Sequence, residues 1–225
     1  TRVRSSAASD VYKRQALGLG SGSTVYFFLE ELGRRVRAGL HIVGVPTSTG
    51  TADLAKRFGI PLTDFDRHTQ LDLDVDGADE VDPDFNLIKG HGGALLREKI
   101  IAQASHRRII IVDETKITPV LGRKAALPVE IVPFARALAE RGLHALGGAP
   151  VLRGSATGQP FVTDNANWIL DCHFSTISNP PGLEADINGI PGVMENGLFV
   201  GLADQVLVAR DGGVQRLVRG VQLRA

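Results

Sequence analysis

Residues 71–101 read LDLDVDGADEVDPDFNLIKGHGGALLREKII. Leu71, Leu73 and Val75 alternate with aspartates, the period-2 pattern of a half-buried strand. On this spacing Asp72 and Asp74 fall on the solvent face. Asp76 and Asp79 bracket Gly77-Ala78 at the strand's C-terminal end, the edge where open parallel sheets bind ligands. Acids there can accept hydrogen bonds from sugar hydroxyls or shuttle a proton; the plain alternative is an Asx turn. Asp82 and Asp84 flank Pro83 and read as turn formers. Lys89 follows the apolar pair Leu87-Ile88 and opens the loop Gly90-His91-Gly92-Gly93. A helix then starts, with Glu98 in its first turns, where the helix dipole favours a carboxylate. Leu95 and Ile101 flank Glu98 at three-residue spacing. The expected desolvation raises a carboxyl toward the range of a general base. Arg97 and Lys99 are expected to face solvent.

The chain on either side reads as support for this stretch. Upstream, GLGSGST (18–24) opens a helix with an apolar stripe at Val25, Phe28, Leu29, Leu32 and Val36, stopping near Gly39. A glycine loop before a helix N-terminus presents free N–H groups and partial positive charge to an anion. Ser21, Ser23 and Thr24 add hydroxyl donors, and Gly22 adds backbone. A dinucleotide fingerprint fits less well, because Ser23 stands where its third glycine belongs and no acid ends the second strand. The P-loop lysine is missing too. The rival reading is a tight turn with capping serines. His41–Val45 reads as a strand, Thr47–Thr51 as a hydroxyl-rich turn, and Ala52–Phe58 as a helix ended by Gly59. Downstream, Arg108–Asp113 is a continuous apolar run, the mark of a strand buried on both faces. Lys116 follows it at the same sheet edge. Strands alternating with helices give a parallel α/β sheet.

Near Leu121 the pattern changes to a small α+β unit. Strands are expected at 127–132, 149–153, 161–163, 168–171 and 197–199, with helices at 134–141 and 182–188. The segments 205–209 and 214–218 flank Asp211-Gly212-Gly213 and are suited to completing the first sheet. The division is therefore 16–124 with 203–225 as one domain, and 125–202 as an inserted one. Residues 1–15 show neither helical nor strand periodicity and are set aside as non-native or disordered.

Composition narrows the function. The 225 residues carry 25 basic and 25 acidic side chains, so nothing favours nucleic acid or another polyanion as partner. With 5% aromatics, a base-stacking surface is not expected. No apolar run approaches the roughly eighteen residues of a membrane span, and no signal peptide is recognisable. A cytoplasmic protein is the expectation. The single cysteine, Cys172, suits a reducing compartment and reads as a core or surface thiol. The six histidines show no paired metal spacing, and no metal or cofactor is expected.

Taken together, GSGST (20–24), VDGADEVD (75–82), IKGHGGALLREKI (88–100), LPVEIVPFA (127–135), VTDNANWILD (162–171) and IPGVMENGLF (190–199) resemble ribose-5-phosphate isomerase of the A type. The resemblance spans about residues 17–220. It implies a Rossmann-like α/β sheet with helices on both faces plus a smaller α+β, ferredoxin-like domain. It implies interconversion of ribose 5-phosphate and ribulose 5-phosphate without metal, in a homodimer or homotetramer. Glu98 would move a proton between C1 and C2 through a cis-enediol(ate). Asp76 and Lys89, helped by Asp79, would manage protons and charge at the oxygens. Ser21 to Thr24, Asp76, Gly77, Ala78, Asp79, Lys89, Gly90, His91, Gly92 and Lys116 would line the sugar phosphate. Ser21 replaces a common threonine, and His91 a common glycine. Two rival functions use the same scaffold: a non-catalytic sugar-phosphate sensor, and an acyl-transfer enzyme with Glu98 as nucleophile.

Overall fold

The computed structural model describes residues 15–220, and residues 1–14 and 221–225 lie outside the described residues. The expectation for the N-terminal stretch therefore falls outside them, except at Gln15. That residue begins β1 (Gln15–Leu19) and pairs with Ile42, so regular structure starts one residue earlier than the spacing suggests.

The first half runs β1, α1 (Ser23–Arg37), β2 (Ile42–Pro46), α2 (Thr49–Phe58), β3 (Leu73–Asp76), β4 (Glu80–Val81), β5 (Leu87–Ile88), α3 (Leu95–Ala104) and β6 (Arg108–Asp113). The second half runs β7 (Leu127–Ile131), α4 (Arg136–Ala145), β8 (Ala149–Leu152), β9 (Trp168–His173), α5 (Pro180–Asn188), β10 (Val193–Asn196), β11 (Leu198–Phe199), β12 (Gln205–Arg210) and β13 (Gly213–Val218).

The main sheet has six strands in the order β13-β12-β6-β3-β1-β2. β2, β1, β3, β6 and β12 are parallel, and β13 returns antiparallel beside β12. The segments after residue 204 thus complete the first sheet, as their pattern suggests. Side chains alternate across it. Leu17, Leu19 and Ile42 pack under Val25, Leu29 and Leu32 of α1 and Ala55 of α2. Ala16, Val43 and Val45 point the other way, onto Ile101 of α3. Helices therefore cover both faces. Each such fully buried leucine or isoleucine contributes about 1.5–3 kcal/mol of transfer free energy.

The second sheet is antiparallel, in the order β10-β7-β9-β8. With α4 and α5 it follows β-α-β-β-α-β in sequence, the split arrangement of ferredoxin-like units. A third sheet, β11-β5-β4, is short. Leu198 and Phe199 were expected to belong with the small unit's strands; they pair instead with Ile88 and Leu87, directly before Lys89.

Five further expectations change. Thr49–Thr51 form the first turn of α2 rather than a loop, because Ser48 caps it by accepting from the Thr51 N–H. Residues 161–163 are not a strand; Thr163 uses its hydroxyl and backbone to close the 163–167 turn. Asp74 is only 2% exposed, because β3 lies inside the sheet between β1 and β6 and has no solvent face. Lys99 is 3% exposed and ion-paired to Glu184 of α5 and Glu195 of β10 at 2.9 and 2.8 Å. Arg97 is half-buried and donates to Asn165 Oδ1 and the Asp164 carbonyl. The helix face read as solvated packs against the antiparallel unit.

Candidate active site

β1, β3 and β6 are parallel neighbours, so their C-terminal ends lie on one edge. Each carries one piece of the site: the 20–24 loop after β1, residues 76–79 after β3, and Lys116 after β6. β5 supplies Lys89, and α3 supplies Glu98.

The loop after β1 is held against β3. The Gly20 N–H donates to the Val75 carbonyl at 3.0 Å, and the Ser21 N–H to Asp76 Oδ1 at 3.1 Å. A Cβ on Gly20 would sit 2.2 Å from Asp76 Oδ1 and 2.6 Å from its Cα. Gly20→Ala must therefore push the loop and β3 apart. It is expected to destabilise the protein by about 1–3 kcal/mol, read as a lower denaturation midpoint, and to lower activity. Gly22 adopts φ 113° and precedes α1, whose first N–H groups receive no side-chain cap. Those N–H groups and the dipole face an anion-sized space.

Ser21 was expected to offer its hydroxyl to an anion, and its surroundings point elsewhere. Its Oγ lies 2.8, 2.9 and 2.9 Å from the hydroxyls of Thr47, Ser48 and Thr51. Thr47 and Thr51 donate their own protons to the Leu19 and Gly20 carbonyls. Ser21 must then donate within this cluster, so the hydroxyl braces the loop while the backbone faces the cavity. Ser23 and Thr24 remain exposed.

Lys89 is the hub. It is 4% exposed, and its Nζ donates to the Gly77 carbonyl at 2.7 Å. The same nitrogen lies 3.0 Å from Asp76 Oδ2 and 3.3 Å from Glu98 Oε2. Asp76 is 1% exposed and Glu98 4%. Asp76 Oδ1 also accepts from the Gly77 N–H at 2.7 Å. Burial pushes the Glu98 carboxyl up to about 8, against the opposing pull of the Lys89 ammonium. Burial pulls the Lys89 ammonium down, but Asp76 and Glu98 outweigh it and hold it above the ordinary lysine range. Asp74, beneath the site, is raised well above the usual carboxylate range by burial and by Asp76. One buried lysine thus faces a carboxyl, Glu98, that burial has brought into the range where it can exchange protons near neutrality.

Twelve of the fourteen candidate residues line one cavity at this edge: Ser21, Gly22, Ser23, Thr24, Gly77, Ala78, Asp79, Lys89, Gly90, Gly92, Glu98 and Lys116. Asp76 sits behind Lys89 rather than on the wall. His91 is exposed and is not on the cavity wall; its ring lies between Asp79 and the Ala126 carbonyl, with Nδ1 3.7 Å from Asp79 Oδ1 and Nε2 3.2 Å from that carbonyl. Its backbone N–H donates to Asp79 Oδ2 at 3.1 Å. Val112 lines the cavity and was not anticipated, because apolar strand residues carry no chemical signature. The bracing hydroxyls of Thr47, Ser48 and Thr51 were visible as a run, but only the pairing of β1 with β2 shows what they brace. Cys172 is a core thiol, pushed up to about 12 by burial.

The family model for ribose 5-phosphate isomerase A (phosphoriboisomerase A) matches residues 43–213. The ribose-5-phosphate isomerase A of Roseiflexus castenholzii is 49% identical over 218 residues, covering 96% of this chain and 93% of that one. A solved D-ribose-5-phosphate isomerase in complex with phospho-erythronic acid superposes with a TM-score of 0.89 at 40% identity, covering 95% of both chains. The ribose 5-phosphate isomerase A structure from Methanocaldococcus jannaschii gives 0.87 at 39% identity, covering 94% of this chain and 95% of that one. By sequence and by fold, this chain belongs to the ribose 5-phosphate isomerase A family.

Proposed function

We propose that the protein interconverts D-ribose 5-phosphate and D-ribulose 5-phosphate by moving a proton between C2 and C1. The observation that carries this reading is the Lys89 Nζ set between Asp76 Oδ2 and Glu98 Oε2 beside the cavity. In the open-chain aldose, the Glu98 carboxylate takes the C2 proton. The electron pair left behind forms the C1–C2 double bond, and the aldehyde π electrons move to O1. This gives a cis-enediolate. The Lys89 ammonium stabilises that oxyanion, and its charge is assured by two buried acids. Glu98 then returns its proton to C1, while Asp76 and Lys89 handle the hydroxyl proton and Asp79 accepts from a sugar hydroxyl. Ser21 to Thr24, Gly77, Ala78, Gly90, His91, Gly92 and Lys116 complete the substrate site. The α1 N-terminus and Lys116 suit the phosphate. His91 joins through Asp79, which its backbone N–H and its ring both face.

The same reading places the protein in the non-oxidative pentose phosphate pathway, in the cytoplasm, as a homodimer or homotetramer. Residues 16–124 with 203–225 act as the catalytic domain and 125–202 as the smaller one. No described helix is long and apolar enough to cross a membrane. The test is ketose formation from ribose 5-phosphate in the presence of a chelator. Conversion at full rate is expected. Conversion only after metal is restored would refute the metal-free mechanism.

A further inference from the structure

We propose that Arg153 is a positioning residue, holding the Lys89–Gly93 loop so that its amides point at Asp79 and into the cavity. This deepens the isomerase reading and rests on it for the kinetic readout. Arg153 follows β8, at the edge of the antiparallel sheet. Its Nε donates to Asp171 Oδ2 of β9 at 2.8 Å, and its Nη2 grips Asp171 Oδ1. That fork leaves Nη1 free to reach across to the loop, where it donates to the Gly90 carbonyl at 3.0 Å and the His91 carbonyl at 3.1 Å. The guanidinium lies 5.7 Å from the Phe161 ring centroid. That ring packs on Gly93, where an added Cβ would meet Phe161 Cζ at 2.5 Å.

The consequence follows from peptide planarity, which makes the C=O and N–H of one peptide point in opposite directions. With the Gly90 carbonyl turned to Arg153, the His91 N–H points away from it and donates to Asp79 Oδ2. With the His91 carbonyl turned the same way, the Gly92 N–H also points away. Among the described residues it has no hydrogen-bond partner, and Gly92 borders the cavity. One side chain outside the cavity, acting with the Gly93 N–H that also donates to the Gly90 carbonyl at 3.0 Å, thereby sets Asp79 and keeps a backbone donor open for an oxygen of the sugar phosphate. Asp171 neutralises Arg153, so the contribution is geometric. A lysine carries the charge without the planar fork and cannot reproduce it.

The experiment compares Arg153→Met, Arg153→Lys and Asp171→Asn with the wild type. Turnover of ribose 5-phosphate is measured alongside hydrogen exchange of the loop amides. Arg153→Met is expected to raise KM about tenfold or more and to speed exchange at His91, while amides of β12 stay protected. Arg153→Lys should be no better. The Arg153→Met/Asp171→Asn double variant should be no worse than Arg153→Met, because both break one clamp. A folded Arg153→Met with wild-type KM and wild-type His91 exchange overturns the proposal, even if its melting temperature falls. So does full rescue by Arg153→Lys. If Arg153→Met does not fold, Asp171→Asn carries the same two readouts. If the wild type does not turn over ribose 5-phosphate, the isomerase reading fails, and the exchange data alone decide the clamp.

Discussion

Glu98→Gln is expected to lower turnover of ribose 5-phosphate by about 10²–10⁴-fold while sugar-phosphate binding persists. The amide keeps the shape of the side chain and removes only its ability to take a proton. Binding survives because the anion-facing elements, the α1 N-terminus and Lys116, are untouched. A variant retaining near-normal rate would remove Glu98 from the mechanism. The wild-type pH profile gives an independent check. Glu98 acts as a base only when ionised, and burial has moved its carboxyl from 4.5 to about 8. Activity at limiting substrate should therefore fall as pH drops through that region, well above the ordinary carboxylate range. In Glu98→Gln the residual rate should lose this limb.

Lys89→Met is expected to abolish detectable turnover and to cost about 3–5 kcal/mol of stability near neutral pH. The ammonium sits within 3.0 Å of Asp76 and 3.3 Å of Glu98, and all three groups are buried. Removing it leaves carboxylates in a low-dielectric site with no counter-charge. The sign of the pH dependence follows. The cost arises only when the facing acids are ionised, so it should grow as pH rises through the folded-state pKa of Glu98, about 8, and shrink as pH falls. Without Lys89 that carboxyl moves higher still, because the opposing pull of the ammonium is gone. Denaturation midpoints of the variant and wild type, measured from acid to alkaline pH, should thus diverge. A constant gap would mean that Lys89 contributes packing rather than charge.

Much of the fold could be read from residue spacing. The alternation in β3, the apolar stripe of α1 and the continuous β-branched run of β6 were each visible in the sequence. The failures share a cause. Asp74 and Lys99 look like surface residues by type, but one lies in the middle of a parallel sheet and the other under an antiparallel unit encoded some ninety residues later. Residues 161–163 have strand-like composition, yet Thr163 takes part in a turn. The candidate site was legible because acids, a lysine and glycines cluster locally at 76–98. Arg153 and the Thr47, Ser48 and Thr51 hydroxyls were not, since they act through long-range pairing on groups that touch the cavity.

On the proposed mechanism, Glu98 transfers a proton between C2 and C1. The most direct measurement converts ribose 5-phosphate in deuterium oxide, with chelator present, and follows carbon-bound hydrogen by NMR until equilibrium. Proton transfer through Glu98 should give ribulose 5-phosphate carrying solvent deuterium at C1, with matching exchange at C2 of the recovered aldose, and neither in Glu98→Gln. Ketose formed with its C1 hydrogens entirely retained from the substrate would indicate a hydride shift and rule out Glu98 as the base.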